Sequence, residues 1–159
     1  MPPKSRSVRA TEFCLAGFLP YKLGVVLESV SRVFAERYLG SADLTIPEWR
    51  ALAVIARKGS LSPTAIGQRT AMDKVKVSRA TQSLVSKGLL LQSADPSDGR
   101  GRLLRLTRKG AATHARMVPI ATGLEAEVFS HLTRAETVAL DKILTKLGTH
   151  LETTAEAPD

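Results

Sequence analysis

Residues 62–106 read SPTAIGQRTAMDKVKVSRATQSLVSKGLLLQSADPSDGRGRLLRL, and no other stretch of the chain restricts its fold as tightly. Ser62 followed by Pro63 is a helix start: the hydroxyl can cap the first turn, and proline at the first helical position lacks an amide that would have no helical partner anyway. Thr70, Ala71 and Met72 read as a turn. Asp73 then caps a second helix that runs to about Lys87, where Gly88 stops it. Leu89-Leu90-Leu91 and Leu103-Leu104-Arg105-Leu106 read as two strands, and the seven residues 95–101 between them are rich in turn formers. Ser60-Leu61 is placed to add a small third strand. Helix, tight turn, helix and hairpin in this order predict a winged helix-turn-helix in a mainly α protein with a small β-hairpin wing.

Charge is concentrated in the same stretch. The chain carries a formal +8, and residues 60–110 hold ten Lys or Arg against three Asp, leaving the remainder close to neutral. A basic surface on a neutral scaffold fits a polyanion such as duplex DNA. Stepping residues 74–87 by 100° gathers Val77, Ala80, Thr81 and Leu84 on one side, the face to be buried. Opposite lie Val75, Ser78, Arg79, Gln82 and Ser86, with Lys74 and Lys76 on the flanks near the N-terminus. Arginine pairs with guanine, glutamine with adenine, and an exposed valine touches a thymine methyl, so this face is equipped for a major groove. The positive end of the helix, the lysines beside it and the hydroxyls of Ser62 and Thr64 suit phosphate. At the hairpin tip Asp98 stands two residues from Arg100 and can orient it toward a minor groove, with Arg102 next along the strand.

The flanking segments predict helices. Leu23, Val26, Leu27, Val30, Val33, Phe34 and Tyr38 recur at three and four over about 20–39, with Gly40 expected to cap the end. Thr45 and Glu48 form a capping-box pattern before a helix that should stop at Gly59, and Leu44 and Trp49 are spaced as a hydrophobic staple. Thr107 opens a long helix to about Ser130, in which Pro119 predicts a kink. Thr133 and Glu136 repeat the capping box ahead of Leu140, Ile143, Leu144, Leu147 and Leu151. With 43% hydrophobic and only 4% aromatic residues, the interior must be largely aliphatic.

Other function classes find little support. Three histidines, one cysteine and scattered carboxylates make no metal-ligand spacing, nucleophile elbow or phosphate loop, so neither an enzyme nor a cofactor site is expected. The apolar run 13–19 behind Lys4, Arg6 and Arg9 imitates a signal peptide, but Pro20 and Lys22 interrupt it, and no span long enough for a membrane follows. A single cysteine fits a reducing compartment, so a cytoplasmic location is expected. A winged helix that binds protein is the rival reading, although such a module has no need of the basic segment.

The motifs also occur together in a known order. Residues 44–52 (LTIPEWRAL), 61–66 (LSPTAI), Met72-Asp73-Lys74 with Val77-Ser78-Arg79, residues 84–89, Asp98-Gly99-Arg100, and Leu106-Thr107 with Gly110 resemble the MarR (multiple-antibiotic-resistance regulator) family of bacterial transcription factors, over roughly residues 20–150. The resemblance implies a homodimer on a palindromic operator, with repression relieved by a small, often aromatic, effector. It divides the chain into a flexible basic arm (1–12), an N-terminal dimerisation helix (13–40), the winged domain (45–107), C-terminal dimerisation helices (108–151) and a flexible tail (152–159). Tyr38, Trp49, Arg50 and His114 fall on segments bordering the family's effector pocket. Cys14 lies where some members carry a peroxide-sensing cysteine, with Tyr21 nearby, although an apolar run around it should bury the thiol and slow it. The wing departs from the family pattern: glycines bracket Arg100, and the usual second arginine beside it is missing.

Overall fold

The computed structural model describes residues 13–155 except 38 and 97, with 98–100 and 153–155 described by backbone alone. Among the described residues six α-helices and three strands follow in order: α1 (Leu19–Arg37), α2 (Ile46–Lys58), β1 (Ser60–Leu61), α3 (Pro63–Thr70), α4 (Lys74–Ser86), β2 (Leu90–Asp95), β3 (Asp98–Leu106), α5 (Arg108–Val128) and α6 (Arg134–Ala155).

Side chains set the starts of α2 to α6. Thr45 accepts from the Glu48 amide while Glu48 accepts from the Thr45 amide at 2.6 Å, and Thr133 and Glu136 repeat the exchange at α6. Ser62, Asp73 and Thr107 cap α3, α4 and α5 through the amides of Ala65, Lys76 and Gly110. Gly59 ends α2 at φ 85°, and Gly88 ends α4 at φ 69°. At Gly88 the amide of Leu89 reaches the Leu84 carbonyl and that of Gly88 reaches Val85, a Schellman ending in which Leu84 and Leu89 both enter the core.

The sheet order is β1-β3-β2, all antiparallel, with Leu61 opposite Leu104 and Leu90 opposite Leu106. Leu52, Ile55, Ile66, Leu84, Leu90, Leu104 and Met117 meet where α2 is covered by α3, α4, the sheet and α5, and all are almost fully buried. This core holds α4 with one face outward.

Four expectations are corrected. Gly40 does not cap α1: the helix ends at Arg37, Gly40 lies in a 3-10 turn (Leu39–Ala42), and the left-handed residue there is Asp43 at φ 51°. The segment 13–40 is accordingly a 3-10 turn (Leu15–Gly17), α1 and the start of that second turn. The wing strands are longer than the leucine runs, because the ladder continues past them to Asp95 opposite Asp98, with an irregularity at Ala94 and Asp95. Cross-strand pairing overrides the weak strand propensity of glycine here. Finally, α6 continues to Ala155 through the first four residues of the expected tail. The arm 1–12 and residues 156–159 lie outside the described residues. Pro119 sits within an unbroken α5, removing the donor for the Ala115 carbonyl, while the Thr122 hydroxyl donates to the carbonyls of Val118 and Pro119.

The flanking helices are unevenly buried. In α1 only Phe34 is buried, while Leu19, Leu23, Val26 and Leu27 are exposed. Among its described side chains α6 buries none, and Val138, Ile143, Leu144, Leu147 and Leu151 face outward.

Candidate nucleic-acid interface

The turn between α3 and α4 determines what α4 can present. Ala71 takes a left-handed conformation at φ 52°, and Gly67 leaves room for the Met72 carbonyl, which a β-carbon would approach to 3.1 Å. Asp73 then starts α4, and the hydrogen bond from the Lys76 amide holds its carboxyl below the ordinary value. The Lys76 ammonium lies 3.1 Å from the same carboxylate, so one of the two expected phosphate-facing lysines folds back over its own helix start.

The two faces of α4 separate as the 100° stepping predicts. Val77, Ala80, Thr81 and Leu84 are buried, with the Thr81 hydroxyl satisfied by the Val77 and Ser78 carbonyls. Lys74, Val75, Lys76, Ser78, Arg79 and Gln82 are exposed, and Val75 is 58% exposed despite being apolar. The Gln82 amide donates to the Ser78 hydroxyl at 3.3 Å, joining two of the expected base-reading residues one turn apart.

A groove of about 470 Å³ opens between α3, α4 and the wing. Thr64, Lys74, Ser78, Gln82 and Arg102 line it, so candidates from all three elements converge there. Gln68 and Gln92 line it too and were not among the sequence candidates. Gln92 stands opposite Leu104 on β3, a register relation that no local pattern reveals. Ser62 is half-buried and uses its hydroxyl as the α3 cap, whereas Arg102 is exposed. The side chains of Asp98 and Arg100, and hence their expected pairing, lie outside the described residues.

Two lysines counted in the basic segment bond groups of the chain itself, Lys87 from a partly buried position and Lys109 at the surface. The Lys87 ammonium donates to both carboxylate oxygens of Glu48 at 3.0 and 3.2 Å and to the Asp43 carbonyl at 2.5 Å. The Lys109 ammonium donates to the Lys87 carbonyl at 2.8 Å. Glu48 is only 3% exposed. Burial pushes its carboxyl up, but hydrogen bonds from the Ser83 side chain, the Thr45 backbone, Lys87 and the Thr45 hydroxyl outweigh this and hold it below the ordinary value.

Of the effector candidates, Trp49 and His114 come together as stacked rings 5.6 Å apart, and Phe34 meets Trp49 edge-on at 6.3 Å. Arg50, the next residue along α2 after Trp49, is exposed, and Tyr38 lies outside the described residues. Cys14 is exposed, which corrects the expectation of a buried thiol. Among the described residues no group of three His, Cys, Asp or Glu is placed to hold a metal ion, and no helix is long and apolar enough to cross a membrane.

Comparison with known proteins follows the same outline. The MarR family model (MarR_2) matches residues 42–101, which run from just before α2 through α3, α4 and β2 into the start of β3. The transcriptional repressor IacR of Pseudomonas putida is 28% identical over 118 residues, covering 74% of this chain and 71% of that protein. The structure of BpsR from Bordetella bronchiseptica, described with regulation of its DNA binding by 6-hydroxynicotinic acid, superposes with a TM-score of 0.81 at 27% identity, covering 86% of this chain and 96% of the other. A MarR variant from E. coli solved with operator DNA superposes with a TM-score of 0.75 at 27% identity, covering 81% and 92%. Motifs, fold and relatives agree in supporting the MarR family of DNA-binding transcriptional regulators, a family of regulators and not of enzymes, as the one this chain is similar to.

Proposed function

We propose that this protein is a cytoplasmic homodimeric repressor that reads a palindromic operator through α4 and is released by a small aromatic effector. The observation that carries the reading is Val75: it is 58% exposed on the same outward face as Arg79 and Gln82, above a fully packed inner face. A helix with no ligand gains from a polar residue there, whereas a thymine methyl gives valine a partner. In this reading Val75, Ser78, Arg79 and Gln82 meet base edges, Ser62, Thr64, Lys74 and Lys76 position phosphate, and Asp98, Arg100 and Arg102 serve the wing.

The exposed apolar faces of α1 and α6 support pairing of two chains, since a monomer seldom leaves such contiguous surface to water. Two copies of α4 would then meet successive major-groove faces about one helical turn apart. The effector candidates are Tyr38, Trp49, Arg50 and His114, and the stacked rings of Trp49 and His114, with the exposed Arg50 next to Trp49 in the chain, support an aromatic carboxylate as the ligand class. The aromatic acid that regulates the similar BpsR supports this ligand class. A second reading, release by peroxide through Cys14, is favoured by the exposure of that thiol, and DNA release by peroxide from Cys14→Ser would eliminate it.

Titrating the protein against duplex DNA at several salt concentrations tests the main reading. The expectation is an affinity that falls steeply and linearly on a logarithmic salt axis. Binding indifferent to both salt and sequence would favour a protein-interaction module instead.

A further inference from the structure

We propose that Glu48 and Lys87 are positioning residues for DNA binding, a carboxylate and an ammonium that fix the setting of α4 on α2 and on the turn arriving from α1. The proposal rests on the reading of α4 as the helix that meets DNA. Lys87 lies in a basic segment and resembles a phosphate ligand in sequence, yet the ammonium's three donor sites match three acceptors in the fold: both oxygens of Glu48 and the Asp43 carbonyl. Its side chain is 26% exposed and that of Glu48 4%, so the pair is withdrawn from the surface where phosphate would be met.

The grip is directional in a way the surrounding leucines are not. Ser83 on α4 and Lys87 at its C-terminal cap stand one turn apart and both bond the Glu48 carboxylate, which is itself fixed to the start of α2 by the Thr45 amide. On the other side the Lys87 carbonyl accepts from Lys109, and the Gly88 carbonyl accepts from Thr107, tying the same helix end to the start of α5. Apolar burial is non-directional and tolerates small rotations of a helix, whereas a buried charge pair with its hydrogen bonds satisfied tolerates few. Leverage makes this matter for recognition. A 13-residue helix is about 20 Å long, so a rotation of about 5° at its C-terminal anchor moves the far end by roughly 2 Å. Val75 lies at that far end.

Affinity for a duplex selected by the wild-type protein from a randomised pool, measured at several salt concentrations below the melting temperature of every variant, tests the proposal. Both Lys87→Met and Glu48→Gln are expected to lose affinity on the order of tenfold, with the salt slope unchanged. Lys74→Ala, the phosphate reference, is expected to lower the slope by about one. The signs separate the explanations. If the charges act only through the field on DNA, removing the lysine weakens binding and removing the glutamate strengthens it. If the pair serves only stability, both variants melt earlier yet bind like wild type when folded. Either pattern overturns the proposal, as does a salt slope in Lys87→Met reduced like that of Lys74→Ala. Should Lys87→Met fail to fold, Glu48→Gln decides alone, because it keeps the size and most hydrogen bonds of the carboxylate. A wild-type protein that binds no duplex overturns the reading of α4 as well, whereas wild-type binding with unaffected variants overturns only this inference.

Discussion

Gly110 packs so closely against Leu89 that a β-carbon on the glycine would lie 2.0 Å from the leucine carbonyl oxygen. The contact brings the start of α5 against the start of the wing, where the Thr107 amide and hydroxyl also bond the Leu89 carbonyl. The obstacle is backbone and cannot swing aside. Gly110→Ala should therefore destabilise the protein by about 1–3 kcal/mol or more, read from urea unfolding. Gly148→Ala, in the exposed α6 with open space around it, should stabilise by roughly 0.5–1 kcal/mol. Equal effects from the two would contradict the close approach.

Glu48 should give the stability of the protein part of its acid dependence. Its folded carboxyl titrates below the ordinary 4.5, so its contribution is complete above that value and disappears as pH falls through the lower folded value. Glu48→Gln is consequently expected to be most destabilising near neutrality and progressively less so below pH 4.5, in unfolding curves compared at matched pH. Asp73 and Glu136 are also held below their ordinary values, alike in both proteins, so the difference between the curves isolates Glu48. A penalty that does not change with pH would contradict this.

Replacing Val26 in α1 or Leu147 in α6 by aspartate should leave the winged core folded and convert a dimer to a monomer. Both side chains are exposed in the single chain, so neither substitution disturbs its interior. Each buries an unpaired charge if two chains meet through these helices. Sedimentation velocity at micromolar concentration reads the outcome, and variants that sediment like wild type would remove these faces from the interface.

Much of this arrangement was legible because local rules govern it. Ser62, Asp73 and Thr107 announce helices by chemistry that acts over three residues, and the structure uses each as a cap. The inward face of α4 follows from helical period alone. What depends on partners distant in sequence was not readable. Lys87 resembles any surface lysine until Glu48, 39 residues earlier, is placed beside it. Gln92 enters the groove through its register against β3, and the wing outlasts its leucines because pairing extends the strands. Gly40 resembled a helix cap, but the chain makes its turn with Asp43 instead.

The stacking of Trp49 on His114 supplies an optical probe, since Trp49 is the only tryptophan in the chain. On the proposed function, titration with small aromatic carboxylic acids should identify one that changes its emission and releases DNA, and Arg50→Ala should weaken that response by about tenfold or more if the guanidinium pairs with the carboxylate. An unchanged response in Arg50→Ala removes Arg50 from the effector site.

The outward face of α4 as the base-reading surface is the claim on which the account depends, and selection of bound duplexes from a randomised pool tests it most directly. The wild-type protein should yield a palindrome, and Arg79→Ala should lose preference at one position of each half-site while keeping the rest, at a cost of about 1–3 kcal/mol for the preferred duplex. Identical preferences for wild type, Arg79→Ala and Gln82→Ala would contradict it.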